Sequence, residues 1–283
     1  EVWNEQEAAA VAADLVTLVT INADDEAVVG KELITHPDVE RVILTGSHDT
    51  ARLFRSFRPD LPLLAETSGK NALIVTPSAD LDLAAKDVVN SAFGHAGQKC
   101  SAASRAYIPA SIWAQLKDEL VSVTESLPVG DVRDFGNFMG AVIDDRAFAK
   151  HKDVLDRAQE DDSITVLAGG TYDDSVGYFV RPTVLEVTDP AHDTFTTEYF
   201  GPILAVHVYD DADFESVVAQ MESFAPYALT GAIIAQARRA IAWACSRTRS
   251  PDDAHLPHTA RSVRSWQREV YGPAPSRWYR QFR

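Results

Sequence analysis

Cys100 and Glu66 are the residues of this 283-residue chain whose types and spacing first suggest chemistry. They lie 34 positions apart, Glu66 at the start of the segment Glu-Thr-Ser-Gly-Lys-Asn and Cys100 at the end of Gly-Gln-Lys-Cys. A cysteine thiolate is a nucleophile, and a separate carboxylate can activate water as a general base. The pair therefore predicts covalent catalysis followed by hydrolysis.

Each of the two residues also has a structural interpretation. On spacing alone, a buried structural cysteine describes Cys100 equally well, because unpaired cysteines are among the most buried residues. Glu66 alone would be a solvated surface charge. Asp80 predicts the start of a helix and Gly94 its end, which places Cys100 in a loop just past that helix.

The amino-acid sequences of the two segments are specific enough to suggest a family. Residues 65–72 (Ala-Glu-Thr-Ser-Gly-Lys-Asn-Ala) and 91–102 (Ser-Ala-Phe-Gly-His-Ala-Gly-Gln-Lys-Cys-Ser-Ala) resemble the two signature motifs of the aldehyde dehydrogenase superfamily, at the family's separation. They are most similar to the branch of 1-pyrroline-5-carboxylate dehydrogenases, which oxidise L-glutamate γ-semialdehyde. The resemblance covers about residues 11–235. It implies an α/β fold with a partial Rossmann-type cofactor domain and an α/β catalytic domain. Beyond it, a composition with little periodicity predicts an irregular C-terminal tail.

A first candidate cofactor segment lies upstream of Glu66. A predicted strand over 39–45 runs into Gly46-Ser47, and a predicted helix follows from Thr50. Backbone N–H groups at a helix N-terminus favour an anion, although an ordinary turn is the commoner interpretation of this pattern alone. The resemblance implies that Gly46, Ser47 and Thr50 contact the pyrophosphate of NAD. No GxGxxG fingerprint occurs in the chain, and the resembled family does not use one.

A second candidate cofactor segment is Glu198-Tyr199-Phe200-Gly201-Pro202, just before a predicted strand. A carboxylate accepts several hydrogen bonds and so suits the two hydroxyls of a ribose. The alternative is an exposed acid that precedes a buried strand. The resemblance implies that Glu198 holds the nicotinamide ribose and that Phe200 packs beside the nicotinamide.

The resemblance also implies a reaction: NAD-dependent oxidation of an aldehyde, here L-glutamate γ-semialdehyde to L-glutamate in proline catabolism. Cys100 would form a thiohemiacetal and then a thioester, and Glu66 would activate the hydrolytic water. Ser101 is a weaker candidate for substrate binding. The alternatives are an inactive fragment or remnant of that enzyme, a non-redox thiol esterase, and a non-catalytic interaction module.

Composition limits the partners. The net charge of −16 argues against nucleic acid or an anionic membrane, so we expect a small-molecule aldehyde as partner. No apolar run approaches the roughly 20 residues that span a bilayer. Two cysteines give no disulfide framework, which favours a cytoplasmic location. No metal site is predicted. Members of the family oligomerise, but the assembly segment is not recognisable here.

The charge distribution predicts three regions. Residues 1–65 would be the remainder of an NAD-binding domain that lacks its start, and 66–236 the catalytic domain. Residues 237–283 contain ten arginines and three acidic residues, a net +7, against −23 for residues 1–236. Our hypothesis for 237–283 is a frameshifted or disordered tail outside the family pattern; a nucleic-acid-binding tail is the weaker alternative.

Overall fold

A computed structural model describes residues 17–21, 25–67, 69–225, 227–247 and 265–267. Its chain divides into two compact units, Glu1–Thr67 and Ser68–Arg283. In both units strands alternate with helices, and the paired strands are mostly parallel. The predicted α/β fold class is therefore confirmed.

The first unit is a small βαβ arrangement. A π-helical turn over Glu26–Gly30 leads into helix α1 (Lys31–Thr35), strand β1 (Val42–Thr45), helix α2 (His48–Phe57) and strand β2 (Leu63–Glu66). The two strands are parallel, and Thr45 lies opposite Glu66. Among the described residues of this unit, the buried apolar side chains are Ile34, Ala51 and Leu61. Ile43 and Leu64, which are paired across the two strands, are both exposed.

The second unit is built on a seven-stranded sheet. Its strands are β3 (Asn71–Val75), β4 (Ala103–Pro109), β5 (Ile164–Ala168), β8 (Thr183–Val187), β9 (Ile203–Tyr209), β10 (Thr230–Ile234) and β11 (Ser265–Gln267). The order across the sheet is β11-β10-β3-β4-β9-β8-β5. All neighbours are parallel except β5, which is antiparallel to β8. A two-stranded hairpin, β6 (Tyr172–Asp173) and β7 (Phe179–Val180), lies outside this sheet.

Helices cover both faces of the large sheet. They are α3 (Leu81–Phe93), α4 (Ala110–Ser126), α5 (Asp145–Glu160), α6 (Asp193–Thr196), α7 (Phe214–Ser223) and α8 (Arg238–Arg247). One core cluster contains residues of α3 and α4, and the other contains residues of α5, α7 and α8. All five residues of β3 are buried, as expected for a parallel strand covered on both sides.

Local signals set the helix ends that frame the cysteine loop. The Asp80 carboxylate accepts the Leu83 N–H and caps α3, and Gly94 ends that helix, as predicted. Asp144 caps α5 in the same way, through the Ala147 N–H. Within the part of the chain that the structure describes, no helix is long and apolar enough to cross a membrane.

The predicted irregular tail contains regular structure. Helix α8 lies within 237–283, and its Ile241 and Ala244 are buried in the core. The backbone of β11 pairs with β10, with Trp266 opposite Gly231. The expectation that this whole region is irregular was therefore wrong for these two segments, because apolar positions at helical spacing stand among the arginines of α8. Residues 248–264 and 268–283 lie outside the described part.

Candidate functional site

The candidate residues of the second unit lie in loops at one edge of its sheet. Residues 69–70 precede β3, Cys100 precedes β4, Glu198 to Gly201 precede β9, and residues 227–229 precede β10. These four strands are parallel neighbours in the order β10-β3-β4-β9. The amino ends of parallel strands lie at the same edge of a sheet, so the topology brings segments together that are far apart in sequence.

Cys100 lies in an exposed turn. After α3, His95 and Ala96 adopt left-handed backbone conformations with φ of 59° and 55°, which are uncommon for residues other than glycine. Among the described residues, the Cys100 N–H donates no hydrogen bond. The interpretation of Cys100 as a buried structural cysteine therefore does not hold. The loop presents a thiol beside a free backbone N–H.

Asn71 fixes the backbone of the cysteine loop. Its Nδ2 donates to the carbonyls of Cys100, at 2.7 Å, and Ala102, at 2.9 Å. Its Oδ1 accepts the N–H groups of Leu229, at 2.9 Å, and Thr230, at 2.8 Å. The Asn71 side chain is buried, and its bond to Ala102 is buried with it, while the other three bonds are partly buried. One amide thus joins β3, the cysteine loop and the start of β10.

Two glycines allow the loops to approach closely. Gly97 has φ +66°, and a Cβ there would lie 2.2 Å from the Gly201 carbonyl oxygen. A Cβ on Gly69 would lie 3.0 Å from the Cys100 carbonyl oxygen and 2.8 Å from Asn71 Oδ1. Both positions therefore require a residue without a side chain. The motif that contains Cys100 packs directly on the motif that contains Glu198.

The loop of Glu198 and Phe200 is held from two sides. The Gly69 N–H donates to Glu198 Oε1 at 2.8 Å. On the other side, His151 Nε2 donates to the Tyr199 carbonyl at 2.9 Å, and its ring fills the space beside Gly201. Phe200 has φ 55° and is 40% exposed, so its ring is available to a ligand. Burial lowers the pKa of His151 and keeps the ring neutral.

Two buried cations lie beneath these loops. Arg105 on β4 donates from Nε to the Lys70 carbonyl at 3.0 Å and from Nη2 to the Met221 carbonyl at 2.8 Å. Burial, together with the nearby Arg105 charge and against the opposing effects of Glu198 and Asp193, lowers the pKa of Lys70 to about 7. The Lys70 and Arg105 side chains are 0% and 1% exposed.

Ser101, the weaker substrate candidate, is exposed next to Cys100. Its carbonyl accepts a hydrogen bond from Thr230 Oγ1 at 3.2 Å. The same loop is anchored through Gln98, whose Oε1 accepts the Ile143 N–H at 2.9 Å. These contacts fix the backbone on both sides of the cysteine and leave the serine side chain at the surface.

The first unit holds the remaining predicted residues, at the carboxyl ends of its two strands. Ser47 Oγ caps α2 by accepting the Thr50 N–H at 3.0 Å, and it also shares a hydrogen bond with Thr50 Oγ1 at 2.8 Å. The Gly46 N–H donates to the Glu66 carbonyl at 3.1 Å. The Glu66 side chain is exposed. Gly46, Ser47, Thr50 and Glu66 thus lie together around the N-terminus of α2.

Sequence reasoning missed Asn71, Lys70, Arg105 and His151. Asn71 and Lys70 stand inside the predicted motif, so their positions were visible but their contacts were not. Arg105 and His151 are charged or polar residues within apolar patterns on β4 and α5. A polar residue on a buried face is the signal that could have identified them.

The fold and these loops define a class: an α/β protein with an exposed thiol at the amino edge of a largely parallel sheet. The model of the aldehyde dehydrogenase family matches residues 4–250, so the chain belongs to that family. The match extends beyond the limits of about 11 and 235 that the sequence suggested. Its C-terminal end includes α8, whose arginine-rich composition hid the pattern.

The chain is similar to individual proteins of this family. The chain is 38% identical, over 77% of its length, to the mitochondrial delta-1-pyrroline-5-carboxylate dehydrogenase of Danio rerio. It resembles the crystal structure of the Mycobacterium tuberculosis delta-pyrroline-5-carboxylate dehydrogenase bound with NAD, with a TM-score of 0.69, 40% identity and 76% of this chain covered. It also resembles Escherichia coli lactaldehyde dehydrogenase, with a TM-score of 0.73, 28% identity and 78% coverage. The chain spans 41%, 41% and 46% of these proteins, respectively.

Proposed function

We propose that this chain belongs to an enzyme that oxidises L-glutamate γ-semialdehyde to L-glutamate with NAD. The observation that carries the proposal is the hydrogen bond from Gly69 N–H to Glu198 Oε1, together with the contact of Gly97 with Gly201. These contacts join the thiol loop to the carboxylate loop within one rigid edge of the sheet. The named similarity to delta-1-pyrroline-5-carboxylate dehydrogenases supports the substrate.

The residues present suit NAD as cofactor. Gly46, Ser47 and Thr50 lie at the N-terminus of α2, where the helix dipole favours the negative charge of a pyrophosphate. Glu198 Oε1 accepts one N–H, and among the described residues Oε2 accepts no hydrogen bond, which leaves it for a ribose hydroxyl. The exposed Phe200 offers a ring to the nicotinamide. The similar Mycobacterium tuberculosis structure is bound with NAD.

The chemistry starts at Cys100. Its thiolate adds to the aldehyde carbon and forms a thiohemiacetal, and the free Cys100 N–H stabilises the oxyanion. NAD, when bound, supplies the hydride acceptor that converts the thiohemiacetal into a thioester. Glu66 takes a proton from water, whose oxygen adds to the thioester carbon. The carbon–sulfur bond then breaks, which releases the carboxylate and restores the thiol.

Activity assays test the proposal. The full chain is given L-glutamate γ-semialdehyde and NAD, and the absorbance of NADH is followed. We expect Cys100→Ser to lower turnover by about a thousandfold or more, because the thioester cannot form. Cys245→Ser is the matched control, since the chain has two cysteines, and it should retain activity.

A thiol esterase that works without cofactor is the competing function. The exposed thiol beside a free N–H would support it as well. Hydrolysis of an activated ester by Cys100, unaffected by NAD and without any aldehyde oxidation, would replace the proposed function by this one.

Four further expectations remain proposals. We propose that residues 1–65 contribute to NAD binding and 66–236 to catalysis. We also propose that the aldehyde is the main partner and that the protein is cytoplasmic, although the Danio rerio relative is named mitochondrial. Ser101 is proposed to contact the substrate because it adjoins the nucleophile at the surface.

A further inference from the structure

The side chain of Lys70 is completely buried, and its Nζ has no hydrogen-bond partner among the described residues. Its backbone is fixed on both sides, because its N–H donates to the Tyr227 carbonyl and its carbonyl accepts from Arg105. A buried ammonium without hydrogen bonds is costly. The fold thus holds a charge in a place where burial opposes it.

The contacts and charges around Lys70 connect it with Glu198. Its Nζ lies 4.7 Å from the centre of the Tyr199 ring, and Tyr199 is the residue next to Glu198. The charged groups that act on Lys70 are Arg105 on β4, Glu198 in the loop before β9, and Asp193 on α6. Of the two carboxylates, Glu198 has the larger effect.

Asp193 is already engaged by other groups. Its Oδ2 pairs with Arg157 Nη1 at 3.3 Å, and its Oδ1 accepts the Tyr199 hydroxyl at 2.8 Å. Glu198 accepts the Gly69 N–H, and Gly69 is the residue next to Lys70. The Gly69 N–H and the Lys70 charge, from adjacent residues, therefore both act on the Glu198 carboxylate.

We propose that Lys70 is a positioning residue for Glu198, whose carboxylate it keeps turned towards Gly69. This inference rests on the proposed function, in which Glu198 binds the nicotinamide ribose. Lys70 itself is too deeply buried to contact a ligand. It acts through Glu198, and its charge determines how firmly that carboxylate is held.

The protonation of Lys70 gives the proposal a pH signature. Because burial brings the pKa of Lys70 to about 7, its charge is present below that pH and is lost above it. The hold on Glu198 should weaken over the same range. Lys150, exposed on α5, also acts on Glu198, so it is left unchanged in the variants.

The test compares NAD with AMP, which lacks the nicotinamide ribose. Dissociation constants for both are measured by calorimetry from about pH 6 to about pH 9, around the Lys70 pKa. The proteins are the unaltered full chain, Lys70→Met and Lys86→Met, an exposed lysine on α3 that serves as control. At the acidic end of this range, we expect Lys70→Met to raise the dissociation constant for NAD by about fivefold. The dissociation constant for AMP should not change. Its melting temperature should not fall, since a buried charge is removed.

The unaltered chain provides a second readout that needs no variant. Its preference for NAD over AMP should decrease as pH rises through about 7, and Lys70→Met should abolish this change. Equal weakening of NAD and AMP, or a preference independent of pH in the unaltered chain, would overturn the role of Lys70. If the unaltered chain binds no NAD, the proposed function fails, and the role of Lys70 fails with it.

Discussion

The two units place their candidate residues at opposite ends of their strands. In the first unit, Gly46 and Glu66 lie at the carboxyl ends of β1 and β2, where open α/β sheets usually bind ligands. In the second unit, Cys100 and Glu198 lie before the amino ends of β4 and β9. A carboxyl end leads into a helix N-terminus, which supplies N–H groups directly. An amino edge has no such helix, so a side chain, Asn71, must hold its loops.

The units also differ in packing. Strand β3, which is interior to the sheet of the second unit, is buried along its whole length, whereas β1 and β2 expose Ile43 and Leu64. Burial of apolar area is the main favourable term in folding. The comparison indicates that the second unit fixes the geometry of the thiol loop, while the described part of the first unit buries few apolar side chains. Matched substitutions in the two units test this difference.

The largest effect is expected where two backbones touch. Gly97→Ala would place a Cβ against the Gly201 carbonyl and force alanine into φ +66°, so we expect a loss of about 4 kcal/mol in the free energy of unfolding. Gly30→Ala is the counterpart in the first unit. Its φ is −60° and nothing lies near its Cβ, so a change of about 0.5 kcal/mol or a slight gain is expected. Urea unfolding measures the free energy of unfolding of both variants. Similar losses in the two variants would contradict the difference between the units.

The next effect concerns the bridge made by Asn71. Asn71→Ala would leave N–H and carbonyl groups of two segments, the cysteine loop and the start of β10, without these partners, and we expect a loss of about 3 kcal/mol. Alkylation of Cys100 by iodoacetamide should also change in rate, because the loop is released. Gln98→Ala, which removes one exposed bond of the same loop, is the control. A stable Asn71→Ala protein with an unchanged alkylation rate would refute the bridging role.

A third comparison uses one residue type in both cores. Leu120 on α4 is completely buried, whereas Leu64 on β2 is 56% exposed. Leu120→Ala is expected to cost about 3 kcal/mol by leaving a cavity, and Leu64→Ala no more than about 0.5 kcal/mol. Thermal denaturation of the two variants decides whether the packing of the units differs as described.

Acid should weaken the second unit through His151. Its folded pKa lies below the usual value near 6.5, because charging the ring would bury an unpaired proton on Nδ1. The unfolded chain therefore binds a proton first, and stability falls as pH drops below about 6.5, by at most about 1.4 kcal/mol per pH unit. His151→Gln should flatten this dependence in urea titrations. An unchanged slope would show that other groups dominate.

The smallest effect is expected at a helix cap. Ser47→Ala removes the acceptor of the Thr50 N–H, and we expect α2 to lose about 1 kcal/mol. Hydrogen exchange should show faster exchange in α2 and no change in β3. Asp80→Ala is the matched cap in the second unit, and its effect should reach the packed face of α3. Exchange that rises equally throughout the chain would argue against separate units.

Some of these features could be predicted from local sequence. Asp80 and Gly94 mark helix ends correctly, because a cap forms among residues within one turn. The Gly-Ser turn before α2 was placed for the same reason. The arginine-rich region was misjudged, because composition hid the two buried positions of α8.

The sequence by itself determined the family motifs, the α/β class and the residue types that could do chemistry, since these depend on spacing along the chain. Only the tertiary structure decided that Asn71 reaches Leu229, 158 positions away, and that Gly97 lies against Gly201. It also decided that Lys70 is buried beneath Tyr199. These contacts follow from the strand order, which is set by long-range packing of the whole core rather than by any local pattern.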